Sequence, residues 1–180
     1  MKTLPAVETL IDSLSSQIAM TIGEAPPESL AVIGLYTGGI WVAEKLIEKL
    51  AIADVKVAAG SLAVTLQRDD FQSIGLHRQS RPSKIDFDVT GMHVILVDDV
   101  LYTGRTVRAA LNELFEFGRP AKVSLACLVD RGGRQLPIAP DYCAFTLNLP
   151  ADQELVLEQT PATASTPELL VLKINQRQKS

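Results

Sequence analysis

Hydrophobic residues along the chain form two kinds of pattern that follow one another. Continuous apolar runs, with the length of strands buried on both faces of a parallel sheet, lie at residues 30–35, 92–97 and 121–129. Apolar residues at three- and four-residue spacing predict helices over 7–18, 41–49 and 107–115. A further strand is expected within 55–66. Because buried strands alternate with amphipathic helices, we expect an α/β fold with a central, mainly parallel sheet flanked by helices.

The last third of the chain consists of shorter extended runs, at residues 142–149, 154–157 and 169–174. The 180 residues contain no internal repeat and are enough for one domain with its own core. We expect a single domain over 1–180 with its core at 28–130. A small hood is expected from 130–150, to which the N-terminus could contribute, followed by C-terminal strands within 154–174.

The composition is that of an ordinary globular protein, with 47% hydrophobic and 21% charged residues and a net charge of −4. No apolar run approaches the ~20 residues that span a bilayer, and the first residues lack the pattern of a secretory signal. We therefore expect a cytoplasmic protein with no membrane partner. Cys127 and Cys143 are too few and too far apart for a CxxC or zinc motif.

Two carboxylates and a short turn separate the central apolar run from the helix that follows it. Asp98 and Asp99 are acceptors suited to two adjacent hydroxyls or to a hydrated magnesium ion. Residues 102–106 precede the helix, where unpaired backbone N–H groups and the helix dipole favour a phosphate. The combination predicts a ribose 5-phosphate site at the carboxyl edge of the sheet. The alternative is that the two acids merely cap the helix and face water.

The stretch 94–106 resembles the phosphoribosyl-diphosphate (PRPP) signature of type I phosphoribosyltransferases. Its second part, Asp-Asp-Val-Leu-Tyr-Thr-Gly-Arg-Thr at 98–106, is similar to the PyrR family, whose members regulate pyrimidine operons and act as uracil phosphoribosyltransferases. Three more segments resemble this family in the same order, at 34–40, 65–70 and 128–138. The resemblance covers most of the chain and implies the type I phosphoribosyltransferase fold.

The resemblance also implies roles for individual residues. Catalytic roles fall to Asp98, Asp99 and Arg68, and base binding falls to Arg131 and Val156. The residues implied in binding PRPP or UMP are Thr37, Gly38, Asp98, Asp99, Val100, Leu101, Tyr102, Thr103, Gly104, Arg105 and Thr106. Magnesium is implied as the cofactor, held through the diphosphate of the substrate with no direct side-chain ligation. Without the resemblance, the glycine-rich turns at 38–39 and 131–134 could belong to any loop.

One position departs from the family pattern. Gly38 stands where many relatives carry an arginine, which binds a diphosphate by charge and paired hydrogen bonds. A hydrogen bond to a charged group contributes roughly 1.5–3 kcal/mol, so we expect weakened PRPP binding or turnover rather than none. Restoring an arginine at this position is expected to tighten binding.

Residues 67–84 show no sustained periodicity and carry four Lys or Arg against two Asp, a local charge of +2. One interpretation is a solvated loop without a function. The resemblance implies a mobile lid that closes over the site and brings cations to the diphosphate.

The function that the resemblance implies is transfer of ribose 5-phosphate from PRPP to uracil, giving UMP, by a homo-oligomer. The alternatives are a UMP- or UTP-responsive regulator of pyrimidine genes that binds RNA, and a catalytically silent nucleotide sensor. RNA binding is disfavoured because the segments that face RNA in the family, here 6–20 and 141–158, contain six carboxylates and no Lys or Arg.

Overall fold

The computed structural model describes residues 4–24, 29–52, 57–64, 82–160 and 169–177. The helices and strands, in chain order, are α1 (Val7–Glu24), β1 (Leu30–Leu35), α2 (Gly38–Ile52), β2 (Ala58–Leu62), β3 (His93–Leu101), α3 (Arg105–Leu114), β4 (Lys122–Asp130), β5 (Tyr142–Thr146), β6 (Gln153–Thr160) and β7 (Leu169–Gln176). A short 3₁₀ turn over Phe115–Phe117 closes α3. No helix among these ranges is long and apolar enough to cross a membrane.

Five strands form a parallel sheet in the order β2-β1-β3-β4-β5, and β6 pairs with β7 in a separate antiparallel hairpin. The expected α/β fold with a mainly parallel central sheet is confirmed. The segment 130–150, expected in the hood, contributes β5 to the edge of the central sheet. The C-terminal strands build the small second sheet.

The three central strands β1, β3 and β4 are buried on both faces, as their continuous apolar runs predict. Val32 and Ile95 pack with α1 and α2 on one face, whereas Ile33 and Leu96 pack with α3 on the other. All four side chains are 0% exposed. Because neighbouring residues in a strand point to opposite faces, most positions of a doubly covered strand are apolar. The buried polar residues His93 and Ser124 hydrogen-bond to each other at 3.0 Å.

The central strand is longer than its apolar run. β3 continues past Val97 through Asp98 and Asp99 to Leu101, because β4 continues alongside it and pairs Leu101 with Asp130. The two carboxylates are therefore held on a paired strand, not on a free loop. Their backbone positions are set by the sheet.

Candidate active site

The strand order creates a crevice at the carboxyl edge of the sheet. From β1 the chain moves to β2 on one side, and it then returns to β3 on the other side of β1. The turns that follow β1 and β3 consequently diverge at their carboxyl ends. In open α/β sheets this switch point is where ligands bind. The segments that meet here are 36–39, 98–106 and 130–138.

Asp98 and Asp99 have different surroundings. Asp98 is 5% exposed, and one of its carboxylate oxygens accepts the backbone N–H of Asp99 at 3.1 Å. Asp99 is half-buried and lies against the start of α2. Asp99 is therefore the carboxylate nearer to the turn between β1 and α2. Asp98 helps to fix its backbone.

Gly38 lies in direct contact with Asp99. A Cβ atom built on Gly38 would come within 2.9 Å of the Cβ of Asp99 and closer still to its carboxylate. Any side chain at position 38 would therefore require Asp99 to move. Because Gly38 has no side chain, Asp99 can lie directly against the start of α2. Gly38 also brings no cation to the turn.

The turn between β1 and α2 is short. Its Tyr36–Thr37 peptide bond is cis, the backbone N–H of Tyr36 donates to Leu62 O at 3.1 Å, and that of Ile40 donates to Thr37 O at 3.2 Å. Helix α2 begins at Gly38 with no acidic residue in its first turn. Backbone N–H groups at such a helix start favour an anion.

The loop between β3 and α3, residues 102–104, is built to expose a helix start. Gly104 precedes α3 with φ +89°, a left-handed conformation that costs other residues about 1–2 kcal/mol. Thr103 is buried, and its hydroxyl accepts the backbone N–H of Arg105 at 3.3 Å. The loop therefore turns sharply, and α3 begins at the carboxyl edge of the sheet, where the crevice lies. This geometry is suited to a phosphate.

The segment after β4 supports this loop from outside. The carbonyl of Thr103 accepts backbone N–H groups from Gln135 at 3.0 Å and Leu136 at 3.2 Å. Arg105 donates from Nε to the Gln135 side chain at 3.0 Å. Arg134 donates to Tyr102 O and forms an ion pair with Asp130 at 2.6 Å. These bonds fix the loop without using a ligand.

Arg131 is buried beneath the hairpin. Its guanidinium donates to the carbonyls of Gln153 at 3.0 Å, Pro150 at 3.3 Å and Leu149 at 3.5 Å. Its Cζ lies 3.8 Å from the centre of the Tyr102 ring, a cation–π distance. The Nε of Arg131 is buried and has no hydrogen-bond partner among the described residues. Arg131 thus connects the β6–β7 hairpin to the loop after β3.

The structure brings together most of the residues implied by the sequence. Thr37, Gly38 and the segment 98–106 meet at the crevice. Arg131 lies beneath it. Val156 is half-buried in β6, on the strand face opposite Leu155 and Leu157. Arg68 and most of the predicted lid lie outside the described residues. Lys84, at the end of that segment, forms an isolated antiparallel bridge with Ser61 of β2.

Three supporting residues were missed by sequence reasoning. Arg134 and Gln135 lie inside a segment that resembles the family, but no role was assigned to them. Arg177, whose Cζ lies 5.1 Å from the centre of the Tyr102 ring, has no signal in the sequence at all. The position of Arg177 depends on the pairing of β6 with β7, which no local sequence pattern near Arg177 indicates.

The carboxylate oxygens at this edge have the chemistry that magnesium prefers. Among the described ranges, no three His, Cys, Asp or Glu side chains form a group that could hold a metal ion. Asp98 and Asp99 are the residues at this edge that would hold such an ion, through its bound waters.

The chain matches the phosphoribosyl transferase domain family over residues 1–161. It is 46% identical over 155 residues to the bifunctional protein PyrR of Pseudomonas aeruginosa, covering 86% of this chain and 89% of the relative. It is 47% identical over 158 residues to the bifunctional protein PyrR of Ralstonia nicotianae, covering 88% of each.

Solved structures agree on the fold. A hypoxanthine-guanine phosphoribosyltransferase from Bacillus anthracis superposes with a TM-score of 0.65 at 20% identity, covering 87% of each chain. A hypoxanthine phosphoribosyl transferase of Trypanosoma cruzi gives 0.65 at 21%, covering 82% of this chain and 78% of its own. The resemblance noted in the sequence is confirmed. The chain belongs to the phosphoribosyltransferase domain family and, within it, to the PyrR family of type I phosphoribosyltransferases.

Proposed function

We propose that the protein transfers ribose 5-phosphate from PRPP to N1 of uracil, releasing diphosphate and forming UMP. The observation that carries this proposal is the loop at 102–104, which exposes a helix start beside Asp99 at the switch point of the sheet. A phosphate at the helix start leaves a ribose within reach of the carboxylate.

In this reaction the C1′–O bond to the diphosphate breaks, and a bond from C1′ to N1 of uracil forms as N1 loses its proton to solvent. Charge develops on the ribose ring and on the leaving group, so positioning and charge stabilisation supply the catalysis. Asp99 accepts hydrogen bonds from the ribose hydroxyls, Asp98 holds the backbone of Asp99, and the loop at 102–106 holds the 5-phosphate. Magnesium bound through the diphosphate would neutralise the leaving group.

The diphosphate is expected beside the turn at Thr37 and Gly38. This turn offers backbone N–H groups and one hydroxyl but no cation. Arg68, from the predicted lid, is proposed to supply the charge. Turnover is therefore expected to be weaker than in relatives with an arginine at the position of Gly38.

Base recognition is proposed to involve Arg131 and Val156. Arg131 is 3% exposed and keeps one buried N–H donor, at Nε, without a partner among the described residues. Leaving a buried donor unsatisfied costs about 1–3 kcal/mol, and a pyrimidine carbonyl, reached directly or through a water, would recover that cost. The side chain of Val156, half-buried on β6, could provide an apolar contact to the ring.

The test is to incubate the protein with PRPP, magnesium and one nucleobase at a time, and to identify the mononucleotide by mass. We expect UMP from uracil and little product from hypoxanthine or guanine. Equal turnover of a purine would contradict the uracil assignment. Absence of both product and PRPP binding would contradict the transferase assignment itself.

A second candidate function is regulation of pyrimidine genes in response to UMP or UTP, favoured by relatives that are named bifunctional. Direct RNA binding is expected to be weak. Two lysines lie beside the segments 6–20 and 141–158, and each forms an ion pair with an acid of that segment. Lys49 pairs with Asp12 and Lys173 pairs with Glu158, each at 2.6 Å. Fewer available cations mean fewer phosphate contacts.

Titration of labelled pyrimidine-leader RNA across a range of salt, with and without UMP, measures this. Each phosphate contact contributes about 1 to the slope of log affinity against log salt, so a shallow slope is expected. Tight, UMP-enhanced binding at physiological salt would restore RNA attenuation as a main function.

A cytoplasmic location and a dimeric or tetrameric assembly are part of the same proposal.

A further inference from the structure

Two cysteines face each other across neighbouring strands, close to the site. Cys127 in β4 and Cys143 in β5 are register partners. Adjacent strands lie about 4.7–4.9 Å apart, which falls within the Cα separation of about 4.4–6.8 Å that a disulfide requires. Both side chains pack into the same core cluster on the α3 face of the sheet. Both are free thiols.

The two thiols are chemically unequal. Cys127 is 0% exposed, and the contact with Cys143 together with burial raises its pKa. Cys143 is partly exposed. Its sulfur lies 3.2 Å from the carbonyl oxygen of Phe145 and 4.0 Å from the hydroxyl of Thr146, and the interaction with Cys127 lowers the pKa of Cys143 below its ordinary value. Cys143 is therefore the more accessible thiol and the one that more readily forms a thiolate. A partly exposed thiolate is the form that reacts with oxidants.

We propose that Cys127 and Cys143 form a peroxide-reactive pair that closes a disulfide between β4 and β5. In the first step the Cys143 sulfur attacks one oxygen of hydrogen peroxide, the O–O bond breaks, and hydroxide leaves, giving a sulfenic acid. In the second step the Cys127 sulfur attacks that of Cys143, the S–O bond breaks, and water leaves with the Cys127 proton. Two electrons pass from the sulfurs to the peroxide.

The pair lies next to the carboxylates of the site. Asp98 in β3 is the register partner of Cys127, so Asp98, Cys127 and Cys143 form a row across three strands. Closing the disulfide draws the Cys127 sulfur toward β5 and changes the wall beside Asp98. We expect a several-fold loss of UMP affinity on oxidation. This consequence rests on the proposed function, whereas formation of the disulfide does not.

The opposing explanation is that both cysteines are small apolar residues that fill the core. Intact-mass measurement of the full chain after treatment with hydrogen peroxide distinguishes the two. We expect a monomer lighter by two hydrogens, with no thiol left to alkylate, and full reversal by dithiothreitol. A wild-type chain that keeps both thiols, or that oxidises only to intermolecular dimers, would overturn the proposal.

Two variants locate the chemistry. Cys143→Ala is expected to leave Cys127 unreactive, because the buried thiol has no partner and no access. Cys127→Ala is expected to stop at a sulfenic acid on Cys143, detected as a dimedone adduct, and circular dichroism checks that both variants fold. Peroxide labelling of Cys127 in the Cys143→Ala variant would contradict the assigned order.

UMP titration of the reduced and oxidised wild-type protein tests the link to the site. Weaker UMP binding after oxidation, reversed by dithiothreitol, supports the proposed effect of the disulfide on the site. Equal UMP affinity in the two forms would contradict that effect. If the reduced protein fails to bind UMP while the mass shift still occurs, the proposed function is wrong and the thiol pair stands.

Discussion

Two strand-to-helix turns lie side by side at the carboxyl edge of the sheet, and they differ in what holds them. The loop after β3 is secured by backbone and side-chain bonds from the segment after β4, and by the ring contact between Tyr102 and Arg131. The turn after β1 is only two residues long, at 36–37, and has no cation of its own. Its first helical residue, Gly38, rests on Asp99.

This difference separates two parts of substrate binding. The loop after β3 is prepared before any ligand arrives, so binding a 5-phosphate costs little reorganisation. The turn after β1 offers only backbone groups and the hydroxyls of Tyr36 and Thr37, so a diphosphate there needs charge from magnesium or from elsewhere in the chain. We therefore expect the nucleotide to bind well by itself and the diphosphate poorly.

The largest effect is expected from Asp99→Asn, which keeps the shape of the side chain but removes its charge. Losing a charged hydrogen bond to the ribose costs roughly 1.5–3 kcal/mol, or roughly 10- to 150-fold in UMP formation. Thermal melts are expected to change little, because Asp99 is half-buried at a strand end. A large loss of melting temperature with normal UMP affinity would instead favour a helix-capping role.

The next effect concerns Gly38, where the structure changes the expectation drawn from the sequence. An arginine was expected to tighten PRPP binding, but a side chain there must displace Asp99. We expect Gly38→Ala to lower UMP formation by up to about tenfold, because moving Asp99 would weaken its proposed hydrogen bond to the ribose.

Gly38→Arg adds a cation to the same displacement. It is expected to recover some PRPP affinity relative to Gly38→Ala without exceeding the wild type. Steady-state kinetics on the three proteins measures both effects. Unchanged kinetics in Gly38→Ala would mean that the position of Asp99 is not important.

A smaller effect is expected from Gly104→Ala, for which the chain offers a matched control. Gly104 and Gly91 both have positive φ, +89° and +76°, and an added Cβ meets nothing closer than 3.4 Å at Gly104 and nothing within 4 Å at Gly91. Both substitutions should cost about 1–2 kcal/mol of stability. Only Gly104→Ala should also weaken UMP binding, several-fold by calorimetric titration. Equal UMP affinity in the two variants would contradict a phosphate site at this loop.

The smallest effect is expected from Tyr102. Tyr102→Leu removes the ring that contacts Arg131 and Arg177, whereas Tyr102→Phe keeps it. Cation–π contacts contribute about 0.5–2 kcal/mol, so Tyr102→Leu should lower the melting temperature and loosen the hairpin, and Tyr102→Phe should resemble the wild type. Hydrogen exchange in β6 and β7 reports the loosening. Identical exchange in all three proteins would exclude this connection.

The sequence was informative where structure is local. The apolar run at 30–35 coincides with β1, and the helix expected over 107–115 corresponds to α3, which begins at Arg105 and ends at Leu114, before the 3₁₀ turn at Phe115–Phe117. The resemblance of 98–106 located the loop that faces the crevice.

Features that depend on distant pairing were not predictable. The extension of β3 to Leu101 follows from pairing with β4, and the place of β5 in the central sheet follows from its pairing there. The partners of Arg131 are carbonyls more than fifteen residues away. The contact of Gly38 with Asp99 joins the start of α2 to the end of β3, which are about sixty residues apart in the sequence.

The most direct test titrates UMP and diphosphate separately into the same protein by calorimetry, first without magnesium and then with it. We expect UMP to bind without magnesium, and diphosphate to bind at least about tenfold more weakly, since 1.4 kcal/mol, less than one charged hydrogen bond, corresponds to that factor. Magnesium should improve diphosphate binding more than UMP binding. Diphosphate that binds as tightly as UMP in the absence of magnesium would contradict the proposed division between the two turns.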